Sequence, residues 1–223
     1  MQKLINLLLK ICKWPAAIYL TLSIPAYIRS VDYFSFTNIP FISFAVGFFM
    51  FFIARTLADK TTTTTMQTIA HELTHTFFAF LTFHKVKAVR VNPDDTGGNM
   101  EFQGEGNWLI IIAPYFFPLF AFFFMIGAYF YLKVAPMNFI INGIIGYLLG
   151  YHVDTVSSQI HEKQTDLPLV GYPFCFAFLP GANMNIVGSV LAFNSKGWEG
   201  ISLYQQLIYK LNIDNLNHVL KLL

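Results

Sequence analysis

The sequence predicts an all-α integral membrane protein of about six transmembrane helices, with a short β-hairpin inserted after the helix that carries an HExxH motif. Three observations carry that expectation. Of 223 residues, 55% are hydrophobic and 17% aromatic, while only 12% are charged, against roughly a quarter in soluble domains. Apolar runs long enough, or nearly so, to cross a bilayer recur along the chain. Between the third and fourth of them the character changes to short β-rich runs around dense turn residues.

The first apolar segment runs from about Leu4 to Ile28, interrupted by Lys10, Lys13, Pro15 and Pro25. No small-residue cleavage site follows, so it reads as a retained anchor helix. The second spans about Ile39 to Ile53 and ends at Arg55. A polar connection and five threonines, Thr61 to Thr65, come next, and one threonine is expected to cap the following helix. That third helix, about Met66 to Phe83, contains His71-Glu72-Leu73-Thr74-His75.

Lys85 to Val91 is rich in β-branched residues, Asn92 to Gly98 is turn chemistry, and Asn99 to Gln103 suits a return strand. The hairpin serves either as a plain connector or, by its exposed edge, as a place where an unwound substrate segment adds as a strand. A fourth crossing is expected over Trp108 to Leu132, with Pro114 and Pro118 near its start. The fifth covers Met137 to Val153, with continuation toward His161. A sixth covers Tyr172 to Phe193, broken at Pro180-Gly181. Beyond Trp198, Leu203, Leu207, Ile208, Leu211, Leu216, Val219 and Leu220 mark an amphipathic helix lying on the membrane surface. The whole is one polytopic domain, residues 1–223. It comprises two anchor helices in 1–60, a core in 61–195 and a tail in 196–223.

Charge excludes some partners. The net charge is +2 with no basic block, so nothing points to nucleic acid. Cys12 and Cys175 lie far apart in apolar stretches and form neither a disulfide framework nor a CxxC pair. With the amino terminus inside, nine Lys/Arg fall on the inner side (Lys3, Lys10, Lys13, Arg55, Lys60, Lys133, Lys196, Lys210, Lys221). Five fall outside (Arg29, Lys85, Lys87, Arg90, Lys163). The positive-inside rule then favours both termini in the cytoplasm. Oligomeric state is not legible.

The chemistry centres on His71, Glu72 and His75. Residues four apart share a helix face, so both imidazoles can meet one metal ion, and the glutamate between them is placed to activate a metal-bound water. Two histidines and a glutamate are costly inside a bilayer, and that cost itself points to function. Hydrolytic zinc takes a third protein ligand and keeps a fourth position for water. Asp154, Asp166, His152, His161 and Glu162 cluster between Tyr151 and Leu167, and spacing does not choose among them. Pro180, Asn183 and Asn185 either bend the last helix and satisfy its freed backbone, or an asparagine there holds substrate backbone near the metal.

HELTH opening a membrane helix, a turn-rich hairpin with Gly97-Gly98, and Ala113-Pro114-Tyr115 entering another helix together resemble the intramembrane M50 metalloproteases of the site-2 protease clan. The likeness is strongest to the compact M50B-like bacterial branch, whose acidic motif Gln164-Thr165-Asp166-Leu167-Pro168-Leu169-Val170-Gly171 is similar to. The chain has no Leu-Asp-Gly, where it departs from the site-2 pattern. The resemblance covers about Thr65 to Phe193. It implies a zinc-dependent intramembrane endopeptidase acting on membrane-associated protein or peptide substrates, in the bacterial cytoplasmic membrane. One Zn2+ per chain would be held by His71, His75 and Asp166, with Asp154 in reserve and Glu72 catalytic. The rival readings are a non-proteolytic membrane zinc hydrolase, a non-catalytic metal-binding membrane protein, and a divalent-cation permease. The near absence of polar residues in the centres of the first, second and fourth segments argues against the last.

Overall fold

The protein is described from a computed structural model, covering residues 1–92, 97–132, 139–161 and 164–221. It is a helical bundle carrying one two-stranded sheet. The helices are α1 (Gln2–Leu22), α2 (Ile24–Arg29), α3 (Ile39–Leu57), α4 (Lys60–Leu81), α5 (Trp108–Ile112), α6 (Leu119–Leu132), α7 (Phe139–Gln159), α8 (Asp166–Val170) and α9 (Tyr172–Leu220). Strands β1 (Val86–Val91) and β2 (Gly98–Phe102) pair antiparallel, Val91 opposite Gly98 and Val86 opposite Phe102. The turn residues 93–96 and Glu162 lie outside the described residues.

Among the described residues, four helices are long and apolar enough to cross a membrane: α1, α3, α7 and α9. A fifth crossing is reached if the α5–α6 pair counts as one. That is fewer than the six simple crossings expected. The segment read as a fourth straight helix is broken, Trp108–Tyr115 and Leu119–Tyr131 meeting at 84°. Pro114 and Pro118 lie at or beside the break and cannot donate backbone hydrogen bonds. Helix α4, with its run of threonines, is not among the candidate spans.

Helix directions agree with the smaller count. Ser43 of α3 hydrogen-bonds the Phe139 carbonyl at the start of α7, Gly47 lies against Gly143, and Arg55 meets Asp154 near the ends of both. The two helices run parallel, whereas the second and fifth of six successive crossings would oppose each other. Likewise α1 runs parallel to the first half of α9, since Lys13 reaches the Val170 carbonyl, Thr21 the Ala177 carbonyl, and Leu20 lies against Gly181. One crossing fewer between α3 and α7 removes both discrepancies. It also resolves how HELTH and the acidic residues after α7 come to lie at one level.

Three local expectations are corrected. Asp59, not a threonine, caps α4: its Oδ1 accepts from Thr62 N at 2.8 Å, and those bonds hold its carboxyl below the usual range. The threonines lie inside the helix, where Thr63, Thr64 and Thr68 donate to carbonyls four residues back. Helix α9 continues through Pro180 and breaks later, at Lys196 and Gly197. Gly197 sits at φ 62°, a left-handed backbone suited to glycine. Past that break the tail folds back on the protein, with Tyr204 against Gly188, Gly200 against Ala192, and Gln205 bonded to Asn185 and Ser189. Its Tyr204 and Ile208 are buried against α2 and α9, so the first turns of this apolar face pack on protein, while Leu216, Val219 and Leu220 further along remain exposed.

The α3–α7 crossing depends on glycine. A Cβ at Gly47 would run into the Gly143 carbonyl, and one at Gly146 into the Phe44 carbonyl. Small residues four apart on α7, Gly146 and Gly150, are what allow backbones to approach closely in a membrane. We expect Gly146→Ala to force the helices apart at a cost of about 1–3 kcal/mol, seen as a lower thermal midpoint in detergent. Gly127→Ala in α6, where a Cβ meets nothing within 4 Å, should leave the midpoint unchanged or raise it. Equal midpoints for the two variants would contradict this crossing.

Candidate metal centre

Helix α4 presents His71, Glu72 and His75 toward the bundle, 6%, 6% and 8% exposed. The spacing of four aligns the imidazoles, and their Nε2 atoms lie 3.0 Å apart. From α8, Asp166 brings Oδ2 to 3.1 Å from His71 Nε2 and 3.3 Å from His75 Nε2. These three donors form the one His/Cys/Asp/Glu group of metal-binding size among the described residues.

The separations suit zinc. Tetrahedral coordination at the usual Zn–N and Zn–O lengths of about 2.0–2.1 Å puts ligand atoms roughly 3.3 Å from one another, close to the three distances found. The donors are also in the right chemical form. His75 Nδ1 faces the Ile110 carbonyl at 2.8 Å, so it carries the proton and leaves Nε2 as a lone pair. Burial alone pushes the Asp166 carboxyl up, but the two imidazoles outweigh it and hold the group well below the usual carboxylate range. A carboxylate and neutral imidazoles are the forms a cation binds.

Neighbouring elements place each donor. Ile110 belongs to the five-residue helix α5, whose last carbonyls have no partner further along it, and one of them takes His75. Asn107 caps α5 by accepting from Ile110 N at 3.1 Å, and its amide donates to Asn6 of α1 at 3.0 Å. The fully buried Tyr115 donates its hydroxyl hydrogen to Asp166 Oδ2 at 3.0 Å. The Tyr115 ring also stands edge-on to His71, with centroids 5.4 Å apart. Asn183 of α9 donates to the Tyr115 carbonyl at 2.9 Å and to Leu179 O at 3.0 Å, so its amide serves the protein's own backbone. Asn185 accepts from Gln205 in the tail.

The other acidic and basic residues sort themselves by partner. Asp154 is taken up by Arg55 Nε at 3.2 Å and Gln67 Nε2 at 2.7 Å, outside the three-donor group. His161 borders an apolar groove with Leu167 and Phe176. His152 is buried in α7 and shares a small cavity with His71.

Three supports were not anticipated from the sequence: Tyr115, the Gln67–Arg55 pair and Lys13. Lys13 donates to the Val170 carbonyl at 2.8 Å, at the end of the short helix that begins with Asp166. Its ammonium also lies 4.8 Å from the centroid of the Phe174 ring, a favourable cation–π placement. A signal for Lys13 existed, since a lysine in the middle of an apolar helix needs a partner. Tyr115 stood out only as part of the Ala113-Pro114-Tyr115 motif, with nothing to tie it to Asp166, and Gln67 carried no signal.

The hairpin closes over the glutamate. Gly98, at the start of β2, lies so near that a Cβ there would come within 2.7 Å of Glu72 Cγ and of Thr68 Cγ2. Its missing side chain is therefore a condition for backbone approaching this carboxylate.

The sequence profile of the Peptidase M50B-like family matches residues 41–154, from α3 to the Asp154 end of α7. It takes in HELTH and the hairpin, and ends before Asp166. No curated protein and no solved structure matches the chain. The family match covers more than half of the chain's 223 residues, its apolar helices make it a multi-pass integral membrane protein, and the protein belongs to the M50B-like peptidase family.

Proposed function

We propose that the protein is a zinc-dependent intramembrane endopeptidase. In this reading His71, His75 and Asp166 hold one zinc ion per chain, Glu72 is the catalytic acid–base group, and the membrane is the bacterial cytoplasmic membrane. The observation that carries the proposal is the convergence of two Nε2 atoms and one carboxylate oxygen at 3.0 to 3.3 Å beside a buried glutamate. Two histidines with one carboxylate is a hydrolytic zinc donor set, whereas a structural site closes its fourth position with another side chain. No fourth such group joins the three among the described residues, which favours hydrolysis over a purely structural ion.

Bound zinc supplies Lewis acidity, lowering the pKa of a coordinated water to about 7 and stabilising negative charge on the scissile carbonyl oxygen. Glu72 accepts the proton that the attacking water loses and delivers it to the departing amine, so one carboxylate serves as base and then acid. Tyr115 keeps its hydroxyl hydrogen on Asp166 and fixes that carboxylate's orientation. Packing around α4 limits access of bulk water to the glutamate, which strengthens each charge interaction there. A helical substrate has its carbonyls occupied by internal hydrogen bonds and must unwind before cleavage. The hairpin beside Glu72 is suited to receive the unwound segment, because an added strand at its edge satisfies the backbone groups that unwinding frees.

Two measurements test this. Zinc content by mass spectrometry should be near one per chain in the wild type and in Asp154→Ala, and lost in His75→Ala and Asp166→Ala. Loss in Asp154→Ala with retention in Asp166→Ala would reassign the third ligand. Glu72→Gln should keep its zinc while peptide-bond turnover falls by at least about 100-fold, the usual scale for a positioned acid–base group. Undiminished turnover in that variant would sink the mechanism.

A further inference from the structure

Two ring nitrogens in the interior have no hydrogen-bond partner among the described residues: Nδ1 of His71 and Nε2 of His152. The two residues are only 6% and 7% exposed. Both line one cavity of about 20 Å³ between α4, the bend around Pro114 and Pro118, and α7. That is room for roughly one water molecule. We propose that this cavity binds a single water linking the two rings, and that His152 is a positioning residue for the His71 imidazole. The inference deepens the zinc reading above and rests on it.

Donors and acceptors balance around one water. A His71 ring that offers its Nε2 lone pair to a metal carries its proton on Nδ1, and a buried N–H needs an acceptor. The Phe116 backbone lies beside the His152 ring, where its carbonyl can accept from the imidazole. With the ring donating to the Phe116 carbonyl, Nε2 is left as an acceptor. Thr74 and Thr155 border the same cavity. Their hydroxyl hydrogens are already spent on the Ala70 and Tyr151 carbonyls, at 2.7 and 2.8 Å, so they too can only accept. One water accepts from His71 Nδ1–H, donates one hydrogen to His152 Nε2 and donates the other to a threonine oxygen. Three bonds is the usual complement of a buried water.

Each metal-facing imidazole then has its own anchor. His75 is held directly by the Ile110 carbonyl, and His71 is held through the water by His152. Most of the remaining wall, Phe117, Phe120 and Leu148 among it, is apolar, and the Tyr151 hydroxyl hydrogen is already donated to the Met66 carbonyl at 2.6 Å.

The test is zinc affinity, measured by competition with a chelator on detergent-purified wild type, His152→Leu and His152→Gln. Loss of a group that orients a metal-binding histidine weakens metal typically about 10–100-fold, and we expect that for His152→Leu. His152→Gln, whose amide oxygen can accept from the water, should recover most of the affinity. A role in packing alone would lower the thermal midpoint of the zinc-free protein in both variants and would not be rescued by glutamine. Affinity of His152→Leu equal to wild type overturns this inference and leaves the metalloprotease reading standing. A wild type that binds no zinc overturns that reading itself. Should His152→Leu fail to fold, a density map of the zinc-loaded wild type decides. A peak within hydrogen-bond reach of both rings supports the proposal, and an empty space between them overturns it.

Discussion

Two imidazoles and two carboxylates stand in a bundle of apolar helices, and each must find a partner inside the protein because the surroundings supply little else. Desolvating such groups without compensation is costly, whether in a membrane or in a protein core. Much of the architecture near α4 answers that requirement. The α5 helix is short enough to leave the Ile110 carbonyl free for His75. The bend after it delivers Tyr115 to Asp166, and α8 is terminated by a lysine that reaches in from α1. The same accounting explains Asp154, whose charge is met by Arg55 and whose carboxylate also accepts from the Gln67 amide.

Much of this was legible from residue patterns. Long apolar runs located α1, α3, α7 and α9 closely, because each buries or exposes a nearly continuous hydrophobic surface and needs no distant partner to become helical. The spacing within His71-Glu72-Leu73-Thr74-His75 placed two imidazoles on one face for the same local reason. Asp166 could be named only through resemblance to a family, since choosing it over Asp154 depends on which of them α4 meets in space. What could not be read was set by pairs of distant residues. Pro114 and Pro118 marked an irregularity, but not a break of 84°. Pro180 looked like a break and was not one, while the break at Lys196 and Gly197 falls where the sixth segment was expected to give way to the tail. Residues Leu203 to Leu220 have an apolar stripe, and periodicity does not say whether lipid or protein covers it. Tyr204 and Ile208 are buried against α2 and α9.

The broken α5–α6 segment has a physical justification that a straight helix would lack. Backbone freed from helical hydrogen bonds is tolerated in the apolar interior where it is given partners by the protein. Here the Tyr115 carbonyl is taken by Asn183, and Phe117 N by the Ala113 carbonyl at 2.9 Å. Pro114 before the break and Leu119 and Phe120 after it border one cavity beside α4.

The position of Asp166 in the chain has a further consequence. A ribosome delivers His71, Glu72 and His75 to the membrane long before it delivers α8, and the lysine that steadies α8 has by then waited since the first helix. On the proposed ligand set, a growing chain that has completed everything the family profile recognises, residues 41–154, still lacks its third donor. Such an intermediate can sit in a crowded translocation site without a finished hydrolytic centre, and competence arrives only when the last helices dock against the first.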